Sequence, residues 1–246
     1  MTRKKLKKKV LLFLVEGAND EAALGKALDN LHKNHSQDDL IRIGMTHGDI
    51  TSDFRVKNVT HEVVTHVKKY LADYKLKRSD IYEIVLLLDM DGAFVPDEVI
   101  LQSDKYSRAF YCEDKILHKN PEVLQKTHKH KQSHINKLLT LNKVLVDVPF
   151  SVYFVSCNLD HLICGNANLT DREKSSAADD FSMKYGEDAD GFLKFFHDPK
   201  INLDSSYKKS WDAIKQELNS LKKYSNMNVF LDRCYPSTEV ANEFYI

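Results

Sequence analysis

Long apolar runs are missing from this chain. Its apolar stretches, such as KVLLFLV (Lys9–Val15), fall well short of the roughly 18 residues that a membrane-crossing helix requires. The basic start MTRKKLKKK is followed by only VLLFLV before Glu16 intervenes, too short an apolar region for a secretory signal. No membrane association is expected. Cysteine is scarce: the four, at 112, 157, 164 and 234, form no CxxC pair. That excludes a dense disulfide framework and points to reduced thiols in the cytoplasm. Net charge is also absent, with 36 Lys and Arg against 36 Asp and Glu, so the chain is not basic overall. There is no phosphate-binding loop. GKA (Gly25–Ala27) imitates the end of one, but the glycine spacing fails and Ala27 has no hydroxyl, so no ATPase motif is present. Internal repeats and low-complexity linkers are lacking as well.

What remains is an ordinary globular composition, 42% hydrophobic and 29% charged over 246 residues, enough for one α/β domain with additions. The charge is patchy. Six cations fall in the first nine residues, HKHKQSHINK (His128–Lys137) is basic, and ADDFSMKYGEDAD (Ala178–Asp190) is acidic. Such patches can meet phosphate even on a neutral protein.

Lys9–Val15 and Tyr82–Leu88 read as buried strands, LIRIGM as a shorter one between them, and Phe150–Ser156 as a fourth. Ala23, Leu24, Ala27, Leu28 and Leu31 share one helical face, with Asn19 or Asp20 as its cap, and Val59, Val63, Val67 and Leu71 share another. Alternating strands and helices predict a parallel sheet covered on both faces. Residues 94–147 read as a polar, mostly helical insertion, including DKYSRAFYCEDKIL and HKQSHINKLLTLNKVL. NLDHLICG starts a helix with Asp160 in its first turn, and LTDREKSSAADDFSMKY is capped by Thr170 or Asp171. Trp211, Ile214, Leu218 and Leu221 suggest one further helix, and MNVFLD a short last strand.

In such sheets ligands gather beyond the carboxyl ends of the strands. Glu16 follows the first strand; Asp89 and Asp91 follow the third, in IVLLLDMDGA. The polar loop HGDITSD belongs to the same edge. Carboxylates crowded together repel, and some stay protonated unless a cation joins them. Oxygen-only ligands select hard ions, Mg²⁺ or Mn²⁺. Asp20 and Asp160 are candidate ligands too, although helix capping accounts for either. His130 and His134, four apart, read as a solvated face because further zinc ligands are missing. The N-terminal lysines fall at the edge opposite the acids.

Two families use an apolar run ending in DxD. LLLDMDGA resembles the nucleophile motif of haloacid-dehalogenase phosphatases, with Ala93 where that motif has Thr. This implies Asp89 as nucleophile, Asp91 as general acid, and Asp179 and Asp180 as late metal-binding acids. The fuller resemblance is to the TOPRIM domain of topoisomerases, primases and OLD-family nucleases. FLVEGANDEAAL (Phe13–Leu24) is similar to its strand ending in V-E-G-x-x-D, LLLDMDG to its D-x-D strand, and SCNLDHLI (Ser156–Ile163) to a later acidic stretch, with Asp160 in place of Glu. It covers roughly residues 8–92 and, more loosely, 148–165. It implies a TOPRIM-like parallel sheet of about four strands in a domain over 1–170, with 171–246 as a mostly helical extension packed on it. It further implies a Mg²⁺- or Mn²⁺-dependent nuclease with Glu16, Asp89 and Asp91 catalytic and Glu16, Asp20, Asp89, Asp91 and Asp160 binding metal. Gly17, Gly48, Asp49 and Thr51 are the candidate substrate contacts. Phage defence, a homo-oligomer and a separate ATPase acting in trans belong to the same expectation. A TOPRIM-like module that binds nucleic acid or a partner without chemistry is the alternative from another class.

Overall fold

The computed structural model describes residues 8–36, 38, 40–53 and 55–236. A five-stranded sheet forms the centre, in the order β2 (Ile41–His47), β1 (Lys9–Val15), β3 (Ile81–Asp89), β8 (Val148–Val155), β7 (Lys143–Val144). The first four strands are parallel and β7 is antiparallel to β8. The fold is therefore α/β, a mixed sheet of mainly parallel strands between helices.

Residue alternation sends each strand to two cores. Leu11, Phe13, Val15, Val85, Leu87, Tyr153 and Val155 face one side; Val10, Leu12, Leu14, Ile84, Leu86, Leu88, Val152 and Phe154 face the other. Helix α1 (Ala18–His35) fills the first core and α2 (Val59–Asp73) the second. Crossovers of one hand explain this. The chain moves one way from β1 to β2 and the other way from β2 to β3, so the two helices fall on opposite faces. The connection leaving β1 and the one leaving β3 diverge, which opens a crevice between their carboxyl ends.

Between β3 and β8 the expected helical insertion is only half helical. DKYSRAFYCEDKIL instead supplies β5 (Phe110–Tyr111) and the start of β6 (Ile116–His118), which form a small three-stranded sheet with β4 (Ile100–Gln102) in the order β4, β6, β5. Its core of Val95, Ile100 and Ile116 packs with Cys157, Ala167 and Leu221. These strands are too short for periodicity to reveal them. Helix α3 (Pro121–Leu138) then covers the second core through Ile135 and Leu138.

After β8 come α4 (Leu159–Cys164), α5 (Asp171–Tyr185), α6 (Ala189–Phe196), α7 (Tyr207–Ile214) and α8 (Met227–Cys234). Thr170 caps α5 with Glu173 returning to its amide, as a capping box requires. MNVFLD is helix rather than strand, because Met227, Phe230 and Leu231 pack at helical spacing on the first core. The helix read through Leu221 ends at Ile214; Asn219–Leu221 is a separate 3-10 turn. Helix α6 was not foreseen: its ADGFLKFF buries Ala189, Phe192 and Phe196. All four cysteines are free, and among the described residues no helix is long and apolar enough to cross a membrane. Residues 1–7, with most of the N-terminal cations, lie outside the described residues; Lys8 and Lys9 are exposed.

Candidate active site at the carboxyl edge of the sheet

Leu14 of β1 pairs with Leu86 of β3, and Asp89 with Val155 of β8. Glu16, Asp89, Asp91 and the start of α4 therefore emerge side by side. The turn Met90–Ala93 is closed by the Ala93 amide on the Met90 carbonyl, with φ of 50° at Asp91 and 65° at Gly92. Two successive left-handed residues suit Asp and Gly. A Cβ on Gly92 would also lie 2.7 Å from Ile116 Cδ1, so glycine is required there.

A cleft of about 250 Å³ at this edge is lined by Glu16, Gly17, Asp20, Asp49, Asp89 and Asp160, among others. Thr51 Oγ1 donates to Glu16 Oε1 at 2.6 Å. Asp89 Oδ1 accepts from the Leu159 amide at 3.1 Å. Asp20 Oδ2 accepts from the Gly17 amide at 2.8 Å, so Gly17 is the N-cap of α1 and Asp20 tethers it from the first turn, rather than Asn19 or Asp20 being the cap. Asp160 pairs with Lys174 of α5 at 3.2 Å. Asp49 Oδ1 binds the Ser52 amide, and the Gly48 amide closes on the Val15 carbonyl. Gly48 also faces the His66 ring, which a Cβ would overlap. These two residues shape the loop, and Thr51 contacts the acid directly.

The side chain at the centre was not foreseen. Lys131 of α3 is fully buried, its Nζ 2.5 Å from Asp91 Oδ2, 3.3 Å from Glu16 Oε2 and 3.2 Å from Ser52 Oγ. From sequence, HKHKQSHINK is a basic helical stretch, with His130 and His134 expected on a solvated face. It is instead the buried stripe of α3, since His128, Lys131, His134, Ile135 and Leu138 all point inward. The signal was present: Lys131 shares a face with Ile135 and Leu138, four and seven residues on. His130 is half-buried and its ring stands 4.0 Å from that of His134. His128 is buried beside Asp91.

The electrostatics are those of crowded acids. Burial, with Asp91 and Asp49 nearby, raises Glu16 to about 7 although Lys131 and Thr51 oppose it. Burial and Asp160 raise Asp20 to about 6. Asp89 is pushed well above the usual carboxylate range by burial, then by Asp20, Glu16 and Asp91. Burial alone would lower Lys131, but Asp91 and Glu16 outweigh it and hold the ammonium above its ordinary value.

The five expected metal ligands thus share one edge. Yet among the described residues no three His, Cys, Asp or Glu side chains stand in metal-binding arrangement. Lys131 lies between Glu16 and Asp91 and contacts both. The donor set still suits a hard divalent ion: it is all oxygen, and its negative charge exceeds what Lys131 and Lys174 offset. Asp179 and Asp180, which the phosphatase resemblance needs, are exposed on α5 and do not line this cleft.

Compared with protein-family models, with curated proteins and with solved structures, the chain finds no match.

Proposed function

We propose that the chain is a divalent-metal-dependent nuclease of the TOPRIM type, similar to the nuclease part of OLD-family enzymes. The observation that carries this reading is the convergence of three half-buried acids, Glu16, Asp20 and Asp89, at the crevice between β1 and β3, each raised in pKa. Glu16, Asp20, Asp89, Asp91 and Asp160 are the residues to hold Mg²⁺ or Mn²⁺, which when bound would polarise the phosphodiester and acidify a water. Glu16, at about 7, is poised near neutrality to take a proton from that water. Thr51 and Lys131 orient its carboxylate, and the Leu159 amide orients Asp89. A separate ATPase supplied in trans belongs to the same proposal.

The test is cleavage of a labelled polynucleotide with Mn²⁺. Glu16→Gln is expected to lower the rate at least about 100-fold and Asp89→Asn to do the same, with phosphomonoesters remaining poor substrates. Monoester hydrolysis that survives Glu16→Gln and is lost in Asp89→Asn would instead establish the phosphatase with Asp89 as nucleophile. One observation favours the non-catalytic binding module: Lys131 already bridges Glu16 and Asp91. Salt-sensitive binding without cleavage, under any metal and with the ATPase added, would select that module.

A further inference from the structure

A second cleft, of about 420 Å³, opens beside the acids: Asp91 lines it, and Lys174 lines both clefts. One wall is the segment from Lys105 to Tyr111; the other is the loop around Asn168. The walls are tied by a reciprocal pair: the Tyr111 amide donates to Asn168 Oδ1 and Asn168 Nδ2 to the Tyr111 carbonyl, both at 2.8 Å. The segment is held in shape by the Lys119 amide on the Tyr106 carbonyl and by His118 on the Ser107 carbonyl. It is thus a built wall.

Its chemistry is cationic and aromatic. Lys105 and Arg108 are exposed and make no ion pair among the described residues. The rings of Tyr106 and Phe110 are stacked, with centroids 4.2 Å apart at 20°, and both are half-buried, and Lys105 Nζ stands 5.2 Å over the Tyr106 ring. Farther in, Tyr111 Oη reaches Asp91 Oδ1 at 3.4 Å. Cations spaced along a groove with aromatic faces between them match a strand whose charged backbone and flat bases are both accessible. A duplex hides its base faces and does not match.

We propose that this cleft seats a single-stranded segment of nucleic acid, with phosphates at Lys105 and Arg108 and an unpaired base on the Tyr106–Phe110 stack, leading the strand to Asp91. The assignment rests on the nucleic-acid reading of the acid cluster and gives it a substrate form: single-stranded.

The test is fluorescence anisotropy in EDTA with a labelled 16-nucleotide single strand and the matching duplex, so that binding is read without cleavage. The single strand is expected to bind at least about tenfold more tightly than the duplex, with affinity falling as salt rises. Lys105→Ala with Arg108→Ala and, separately, Tyr106→Ala are each expected to weaken it about tenfold, with Tyr106→Phe close to wild type. Circular dichroism and melting of each variant separate lost contact from lost fold. Equal binding of duplex and single strand, wild-type affinity in folded variants, or no binding by the wild type would overturn the assignment. Mn²⁺-dependent cleavage alongside wild-type affinity in the variants would remove the cleft and leave the nuclease. Weakened binding in the variants, with cleavage absent under every metal, would keep the cleft and remove the nuclease.

Discussion

Strand β3 carries a carboxylate near each end, Glu83 buried and Asp89 half-buried, and the two are solved differently. Glu83, near the start, accepts from Ser151 Oγ at 2.6 Å and from Arg233 Nη2 at 2.8 Å. Each charge has its partner, and the pair joins β3 to β8 and to α8. Asp89, at the end, takes one amide, from Leu159, and otherwise faces Asp20, Glu16 and Asp91. A buried acid matched by a cation is explained by the fold. Crowded, half-buried acids that outnumber their cations are destabilising as they stand, and that cost is the reason to assign them work.

The largest effect should come from the lysine that holds the crowded end together. Lys131→Met leaves Glu16 and Asp91 without their buried counter-charge and is expected to cost about 3–5 kcal/mol, read by urea unfolding in EDTA. A loss below about 1 kcal/mol would mean that Lys131 is not the electrostatic keystone of the site.

The next effect depends on pH. Glu16 is raised to about 7, so between roughly pH 4.5 and 7 the folded state holds more protons there than the unfolded chain. The contribution of this group therefore falls as pH rises through that window. His128, lowered to about 4 by burial, acts in the opposite sense: its contribution is present above about pH 6.5 and is lost as pH falls towards 4. Comparison with Glu16→Gln isolates the acid. In EDTA the variant should gain on the order of 2 kcal/mol over wild type between pH 5 and 7.5, and millimolar Mn²⁺ should raise the wild-type Tm at pH 7.5 but not that of Asp89→Ala. A constant difference across that range would show that Glu16 ionises normally.

The smallest effect belongs to the matched end. The Arg233 side chain is 46% exposed, so water can partly replace it beside Glu83. Arg233→Leu is expected to cost about 1 kcal/mol and to leave any Mn²⁺ stabilisation unchanged. A cost equal to that of Lys131→Met, or a lost metal response, would erase the contrast between the two ends.

Legibility followed the range of the interactions. Strands β1 and β3 were readable as continuous apolar runs and β2 and β8 as short alternating segments, and α1 and α2 because their apolar residues recur at helical spacing. The edge carrying Glu16, Asp89, Asp91 and Asp160 followed from strand order alone. The small sheet β4–β6–β5 was hidden because strands of two or three residues show no period. Helix α8 was mistaken for a strand because a short apolar segment serves either state until its neighbours select one. Helix α3 read as polar, because three of its inward positions are His128, Lys131 and His134.

The amino-acid sequence by itself determined the alternation of strand and helix and placed acidic residues just beyond β1 and β3, since local periodicity and chain order are enough for both. Only the tertiary structure decided what those acids meet. Lys131 is 115 residues from Glu16 and 40 from Asp91 along the chain. A lysine can be buried only where carboxylates compensate its desolvation, and that compensation exists only once α3 has packed over the end of the sheet.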